Sequence, residues 1–311
     1  MYYFALITSD YCEQAEISML SLFRYNDIKL NLFVVDSGYE EVVKYYSSKP
    51  YKDHLNIINI YDEEHNKKLF AYPHNDTVFA SYPAHLTLWT FRIFDYIQED
   101  EIFRIDLDIL YFGDISRLCK YDNTLVGLVE KMNNRDSIKR LFPKEHTSYF
   151  QINVGLCKFI KSKFNLNCTF EEEMTKRLDA DAINYLVPEQ DILNELTSDK
   201  HFYRDSIIIT HYTDLNDFDE NADLLGFHFN GSWVKPWKTY EYSAIQIDNF
   251  NFIAGVELCY EFSKRVDFFR KNVRMNYMLT HHQYENTKLP KNLRTKRIVE
   301  RMINEVRSWT F

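Results

Sequence analysis

Two aspartates in an apolar stretch are the residues whose types and spacing could most directly do chemistry. Asp106 and Asp108 lie in the segment FRIDLDILYF, residues 103–112. A buried strand normally excludes carboxylates, because removing an unpaired charge from water costs several kcal/mol. Two carboxylates at the end of such a strand therefore indicate that a cation is held there, and a divalent metal ion is the simplest candidate.

The apolar context, more than the spacing, carries this prediction. Amino-acid frequencies alone give about one D-x-D in 300 residues. Two other pairs with this spacing, Asp179/Asp181 and Asp217/Asp219, lie in acid-rich surroundings that are typical of solvated loops or helix faces.

A histidine far along the chain is the candidate third ligand. His228 lies in LGFHFNGSWVKPW, followed by Gly231 and Lys235. Mn²⁺ accepts carboxylate and imidazole ligands, whereas Mg²⁺ prefers oxygen throughout. Lysine binds phosphate as a point charge, so His228 and Lys235 could hold a metal and a phosphate together. The alternative is a core histidine that is hydrogen-bonded to a carbonyl.

The elements that must position these residues alternate between strands and helices. This alternation predicts an α/β fold with a mostly parallel sheet covered on both faces. The His, Asn and Pro content of the segment from Asp62 to Pro83 indicates a mobile connection. The predicted strands are Tyr2–Thr8, Leu30–Val35, Leu55–Ile60, 103–112, Leu125–Val129 and Gln151–Phe159, and the predicted helices are Ala15–Arg24, Glu40–Ser47, His85–Ile97, Phe170–Leu178 and Gln190–Leu196.

Composition excludes several classes of protein. The formal net charge of −9 argues against a nucleic-acid-binding protein. The five cysteines are dispersed and form no C-x-x-C pair, which argues against a disulfide framework or a zinc site. The N-terminus has no signal-peptide pattern, and no stretch reaches the roughly 20 apolar residues of a spanning helix. A cytoplasmic location is expected.

The C-terminal region differs in composition from the rest. We expect a catalytic domain over residues 1–240 and a helical, basic extension over residues 241–311. Residues 288–307 contain seven Lys or Arg against two Glu, and Trp309 and Phe311 follow. This pattern is typical of a solvated helix that packs on the domain, or of an amphipathic helix on an anionic membrane surface.

Several segments together resemble glycosyltransferase family 8, which includes glycogenin and the lipopolysaccharide galactosyl- and glucosyltransferases. They follow one another in the family's order over about residues 4 to 237. They are LITSDY near the start, the helix with Arg92, FRIDLDILYF, INVGL, PEQDILN and HFNGSWVKPW.

The resemblance implies a GT-A fold with a Rossmann-like nucleotide-binding sheet, and transfer from a UDP-sugar with retention at the anomeric carbon. It implies Mn²⁺, with Mg²⁺ as the alternative. Matched by position, the metal ligands are Asp106, Asp108 and His228; the donor-binding residues are Thr8, Asp10, Tyr11, Arg92, Asp106, Asn153, Gly155, Glu189, Gln190, Gly231 and Lys235; the catalytic candidates are Gln190, Asp191, Lys235 and Arg92.

The chain departs from the family at two positions. Glu189 stands where the family commonly has aspartate, which could change sugar preference. Three residues separate Gly231 from Lys235, where the family usually has two.

Some candidates also have structural interpretations. Arg92 could be a surface arginine, Asn153 and Gly155 could mark a bulge, and Asp191 could cap a helix.

The leading hypothesis is a metal-dependent retaining hexosyltransferase that uses UDP-glucose or UDP-galactose. Its acceptor would be a glycan, a lipid-linked saccharide or a protein. Two alternatives are a self-glycosylating initiator like glycogenin and a nucleotide-sugar-binding module without turnover.

Overall fold

The computed structural model describes residues 1–73, 84–111, 113–131, 150–182, 185, 187–203, 207–209 and 225–228. Contacts divide the chain into two units. The first unit comprises Met1–Cys12, Ile28–Asp106 and Ile115–Arg204, and the second comprises Glu13–Asp27, Leu107–Asp114 and Asp205–Phe311.

A mixed, mostly parallel sheet of seven strands forms the centre of the first unit. The strands are β1 (Tyr2–Ile7), β2 (Leu30–Val34), β3 (Leu55–Asn59), β4 (Glu101–Ile105), β6 (Leu125–Lys131), β7 (Phe150–Ile160) and β8 (Lys200–Tyr203). Their order in the sheet is β3-β2-β1-β4-β7-β6-β8. Strand β1 pairs in parallel with β2 and β4, β2 with β3, and β6 with β8, whereas β7 runs antiparallel to β4 and β6.

Helices lie between the strands in the order that the sequence predicted. The α-helices of the described residues are α1 (Cys12–Tyr25), α2 (Tyr39–Tyr46), α3 (Glu63–Ala71), α4 (Ala84–Thr87), α5 (Trp89–Tyr96), α6 (Phe170–Asp181) and α7 (Pro188–Glu195). The predicted α/β class is therefore confirmed. None of the helices in this part of the chain has the length and apolar character needed to cross a bilayer.

The prediction of a mobile connection from Asp62 onward is wrong over Glu63–Ala71, which form helix α3, and residues 74–83 of that segment lie outside the described residues. The Asp62 side chain accepts a hydrogen bond from the backbone N–H of His65 (3.0 Å) and so caps the helix. Glu63 and Glu64 follow in the first turn, where carboxylates favour the helix dipole. The sequence signal for this helix was its cap. The helix was missed because it has few apolar residues.

Aromatic side chains pack the core of the first unit. The fully buried Phe94 of α5 contacts Phe4 of β1, Phe159 of β7 and Phe170 of α6, with ring centroids 6.0, 4.8 and 5.1 Å away. All three contacts are edge-to-face, the arrangement that aromatic rings prefer. These contacts fix α5 against the middle of the sheet.

The segment FRIDLDILYF is not one strand, which corrects the sequence prediction. Strand β4 ends at Ile105, and a separate strand β5 covers Ile109–Tyr111. Strand β5 belongs to a three-stranded sheet of the second unit, with β9 (Ile207–Ile209) and β10 (Gly226–His228). The two aspartates therefore lie between strands, where their carboxylates are not forced into a core.

Helix α1 holds β5 in place within the second unit. Ser18 Oγ donates a hydrogen bond to the carbonyl oxygen of Ile109 (2.7 Å), and the Tyr111 N–H donates to Ser21 Oγ (3.1 Å). Both serines are fully buried. Since a buried polar group left unsatisfied is costly, these two bonds select one position of β5 along the helix.

Strand β7 is irregular at the positions suspected of forming a bulge. Gly127 of β6 is opposite Cys157, but its neighbour Leu128 is opposite Asn153, so residues 154–156 of β7 have no counterpart on β6. The Asn153 side chain accepts a hydrogen bond from the Gly155 N–H (3.0 Å). The bulge interpretation of these residues is confirmed.

Candidate functional site

The four parallel strands β1, β2, β3 and β4 end at one edge of the first unit's sheet. The chain leaves β1 for β2 and β3 on one side, and later returns to place β4 on the other side of β1. Open α/β sheets bind ligands at such a reversal, outside the carboxyl ends of the strands. The first polar residues beyond the ends of β1, β2 and β4 are Thr8, Asp36 and Asp106; Val35 lies between the end of β2 and Asp36.

The turn after β1 carries the residues expected to border the base. Residues Ser9–Tyr11 form a short 3-10 helix, and the Tyr11 N–H donates to the Thr8 carbonyl (3.1 Å). The Thr8 hydroxyl donates to the Asp10 carboxylate (2.6 Å). The structure thus brings Thr8, Asp10 and Tyr11 together in one turn.

A residue that the sequence analysis missed holds this turn. The Asp36 carboxylate, after β2, accepts hydrogen bonds from the Ser9 N–H and hydroxyl (both 2.7 Å) and from the Gly38 N–H (3.1 Å). A Cβ on Gly38 would lie 2.2 Å from the Ser9 Cβ. Only glycine allows the two turns to approach this closely.

The predicted metal ligands lie close together. In the second unit, antiparallel pairing of β5 with β10 places His228 opposite Ile109, beside Asp108. The His228 Nε2 lies 3.0 Å from the Asp108 carboxylate, and the histidine is 2% exposed. Asp106 is kept near Asp108 by the chain itself, since only Leu107 separates them.

The donor set fits a divalent metal ion. The ligand atoms of Asp106, Asp108 and His228 all lie within 4.8 Å of one another. Ions such as Mn²⁺ and Zn²⁺ are bound at roughly 2.0–2.2 Å by oxygen and imidazole donors, so ligand atoms around one ion are about 3–4.5 Å apart. These three side chains could therefore share one ion.

An arginine next to this set was also missed. Arg104 of β4 is 4% exposed and donates to Asp106 (3.0 Å) and to Glu189 of α7. Burial opposes the charge on Arg104, but Glu189 and Asp106 outweigh it and raise its pKa. Burial raises the pKa of Glu189, and the Arg104 charge opposes that rise. The available signal was an arginine inside an otherwise apolar strand.

Helix α7 is docked on β7 by buried amides. Asn194 accepts a hydrogen bond from the Ile152 N–H (2.8 Å) and donates to the carbonyls of Ile152 and Gln190 (both 2.8 Å). The Gln190 amide oxygen accepts from the Val154 N–H (3.3 Å), at the irregular part of β7. Gln190, Asn153 and Gly155 are thus brought together.

Asp191 is not the N-cap residue of α7, so the capping interpretation is wrong, but its side chain contacts the start of the helix. Helix α7 begins earlier than expected, with Pro188 in its first turn and Val187 as the N-cap. The Asp191 carboxylate accepts a hydrogen bond from the Val187 N–H (3.0 Å).

The remaining candidates are Arg92, Gly231 and Lys235. Arg92 donates to Asp62 (3.0 Å), and its guanidinium lies 5.6 Å from the Trp89 ring centroid. It therefore belongs to a different group of contacts from Arg104 and Glu189. Gly231 and Lys235 lie outside the described residues.

Comparison with known proteins places this arrangement in a family. The sequence profile of glycosyl transferase family 8 matches residues 3–241. The chain belongs to glycosyltransferase family 8. The resemblance inferred from the ordered sequence segments is confirmed, and the chain is a glycosyltransferase.

Solved structures of two glycosyltransferases share the fold. The galactosyltransferase LgtC, solved in complex with donor and acceptor sugar analogs, is 13% identical, with a TM-score of 0.61, and the match covers 88% of this chain and 99% of LgtC. GlyE of Streptococcus pneumoniae TIGR4 is 18% identical, with a TM-score of 0.51, covering 85% of this chain and 63% of GlyE. Comparison with curated protein sequences gave no significant match. The predicted GT-A type of fold is confirmed.

Proposed function

We propose that this glycosyltransferase moves a hexose, glucose or galactose, from a UDP-sugar to a saccharide-bearing acceptor, with retention at the anomeric carbon and with Mn²⁺ as its metal. The observation that carries the proposal is the group of Asp106, Asp108 and His228, whose ligand atoms lie within 4.8 Å of one another. In this position a cation would meet the diphosphate of a nucleotide bound at the sheet edge.

Each part of the site has a task in this reaction. Negative charge builds up on UDP as it departs, and the metal ion, when bound, supplies positive charge that stabilises it. The turn of Thr8, Asp10 and Tyr11 borders the base, and the irregular part of β7 with Gln190 borders the donor sugar. Lys235 and Arg92 are proposed as additional cations for the diphosphate or the sugar.

Gln190 is proposed to stabilise the oxocarbenium-like centre without attacking it. A neutral amide oxygen is weakly basic and a poor nucleophile, so same-face substitution is favoured. The hydrogen bond from Val154 and the 3% exposure of Gln190 fix its orientation. The variant Gln190→Ala should turn over more slowly and still bind Mn²⁺; complete loss of turnover with a sugar adduct trapped on a nearby carboxylate would instead indicate a double displacement.

The direct test is a hydrolysis screen of UDP- and GDP-sugars, with and without Mn²⁺, that measures free nucleotide. We expect UDP release from UDP-glucose or UDP-galactose that depends on Mn²⁺. Binding of a UDP-sugar without release in the presence of acceptors would instead support a binding module.

A matched pair of variants isolates the metal group. Asp108→Asn should abolish UDP release, because it removes a charged ligand. The control Asp179→Asn changes an aspartate of another D-x-D pair and should leave UDP release unchanged. Asp179 accepts a hydrogen bond from the hydroxyl of Tyr72, the residue after α3 (3.1 Å). Equal activity of both variants would remove Asp108 from the mechanism.

Residues 241–311 are proposed to form the basic extension, with peripheral membrane contact through residues 288–311. This region lies outside the described residues. Pelleting with anionic liposomes should be stronger for the whole chain than for a chain truncated before Lys288, since basic residues are attracted to anionic lipid. Equal pelleting would exclude this contact, and the expected cytoplasmic location remains a prediction.

A further inference from the structure

Arg104 connects two parts of the proposed site. It is the residue two positions before Asp106, and its side chain lies inside the first unit, 4% exposed. One guanidinium nitrogen donates to Asp106 at 3.0 Å, and another donates to Glu189, which is 1% exposed. A single side chain thus binds a candidate metal ligand and the helix that carries Gln190.

This buried pair needs an explanation other than stability. Removing charges from water is costly, and replacing a buried ion pair with apolar residues of similar size is often neutral or stabilising. The planar guanidinium, however, holds its partners in a fixed geometry that the flexible, point-charged lysine does not provide. A buried arginine between two carboxylates is therefore better suited to orienting them than to stabilising the fold.

The backbone supports the same orientation. The Asp106 N–H donates to the Gly155 carbonyl oxygen of the irregular β7 segment (2.6 Å). Asp106 is thus held from its main chain by β7 and from its side chain by Arg104. A carboxylate has two oxygens and about four acceptor positions, so it can accept from Arg104 and bind a cation as well.

We propose that Arg104 is a positioning residue that orients the Asp106 carboxylate toward the bound cation and ties it to Glu189 on α7. The proposal rests on the proposed function, since it presumes that Asp106 is a metal ligand. It also gives Glu189 a task within the protein: its carboxylate holds Arg104, where an aspartate, being one methylene shorter, would not reach the same point from α7.

The test measures Mn²⁺ binding directly, on the full chain without nucleotide, from the free Mn²⁺ signal in electron paramagnetic resonance. The variant Arg104→Met/Glu189→Met removes both buried charges together and fills their space, so that neither charge is left unpaired. We expect Mn²⁺ to bind 10- to 100-fold more weakly, the usual effect of losing a group that orients a metal ligand. Thermal unfolding should show that the variant is folded.

A second buried cation provides the control. Lys158 of β7 is 3% exposed, lies 3.3 Å from Glu101, and donates to the carbonyls of Cys119 and Tyr121 (both 3.0 Å). Lys158→Met should reduce stability and leave Mn²⁺ affinity unchanged.

The outcomes separate this proposal from the proposed function. If the wild-type chain fails to bind Mn²⁺, the metal of the proposed function is wrong. If the wild type binds and the double variant binds within about twofold of it, only the role of Arg104 is refuted. Equal losses in the double variant and Lys158→Met would also refute it, because the effect would then be general destabilisation.

Discussion

The contact between Gly38 and Ser9 predicts a large effect from one methyl group. In Gly38→Ala the new Cβ would lie 2.2 Å from Ser9 Cβ and 2.3 Å from Ser9 Oγ. Gly38 has φ −90° and ψ 33°, so alanine meets no strain from a positive φ there. The whole effect must then come from the steric clash.

The magnitude follows from what Ser9 would lose. Ordinary contacts begin near 3.4 Å, so Ser9 must move by more than 1 Å. That shift would break or weaken its two 2.7 Å hydrogen bonds to Asp36. Overpacking costs about 1–3 kcal/mol and a hydrogen bond to a charged group contributes about 1.5–3 kcal/mol. Allowing for partial relaxation, we expect Gly38→Ala to lower the free energy of unfolding by about 2–4 kcal/mol.

The assay is urea unfolding of the wild type, both single variants and the double variant Ser9→Gly/Gly38→Ala. Ser9→Gly removes the clashing atoms, and the next neighbour of the new Cβ, Asp36, is at an ordinary 3.4 Å. Adding Gly38→Ala to Ser9→Gly should therefore change stability by only about 0.5 kcal/mol, giving a coupling of at least about 1.5 kcal/mol between the sites. Calorimetry with UDP should show about tenfold weaker binding for Gly38→Ala alone, because the turn of Thr8, Asp10 and Tyr11, which is proposed to border the base, is displaced.

Two results would refute the reasoning. Wild-type stability of Gly38→Ala would mean that the two turns do not approach as described. A destabilised Gly38→Ala that Ser9→Gly does not rescue would assign the clash to other atoms.

Two further predictions concern buried polar groups. Burial and the nearby Arg92 lower the pKa of His65 from 6.5 to about 4. Between pH 6.5 and 4 the unfolded chain binds a proton at His65 that the folded chain does not, so the wild type should lose about 2–3 kcal/mol of stability as the pH falls through this range. In urea unfolding, His65→Gln should not show this loss. Parallel pH profiles of wild type and variant would contradict the role of His65. Asn194→Leu leaves the Ile152 N–H and carbonyl without the Asn194 side chain and should lower the free energy of unfolding by about 2–4 kcal/mol. The control Asn56→Leu removes an exposed hydrogen bond (2.8 Å) and should lower it by less than about 0.5 kcal/mol. Similar losses in the two variants would contradict the docking role of Asn194.

The alternation of strands and helices was readable from the sequence because buried strands and amphipathic helices leave different periodic patterns. The end of β4 could not be read from the sequence. Apolar residues continue to alternate through Asp106 and Asp108, although the chain passes from one sheet to the other there. Helix α3 was missed for the opposite reason: its cap is clear, but its apolar face is small.

The candidate site was predicted unevenly. The proximity of Asp108 to His228 could be anticipated from a family resemblance and is observed at 3.0 Å, although ligation itself stays a prediction. Arg104 and Asp36 were missed because the meaning of each depends on partners distant in sequence: Glu189 for Arg104, and Ser9 for Asp36. A single charged residue shows that it needs a partner but not where that partner lies.

The pairing of β5 with β10 also sets an order of events during biosynthesis. Residues 108 and 228 are about 120 positions apart, and a ribosome adds about 5–20 residues per second. Roughly 6–24 s of synthesis therefore separate the acidic pair from the imidazole that accompanies it. A shortened translation product that ends before β10 would carry both aspartates without the histidine, so the candidate metal site is completed only after β10 has been made.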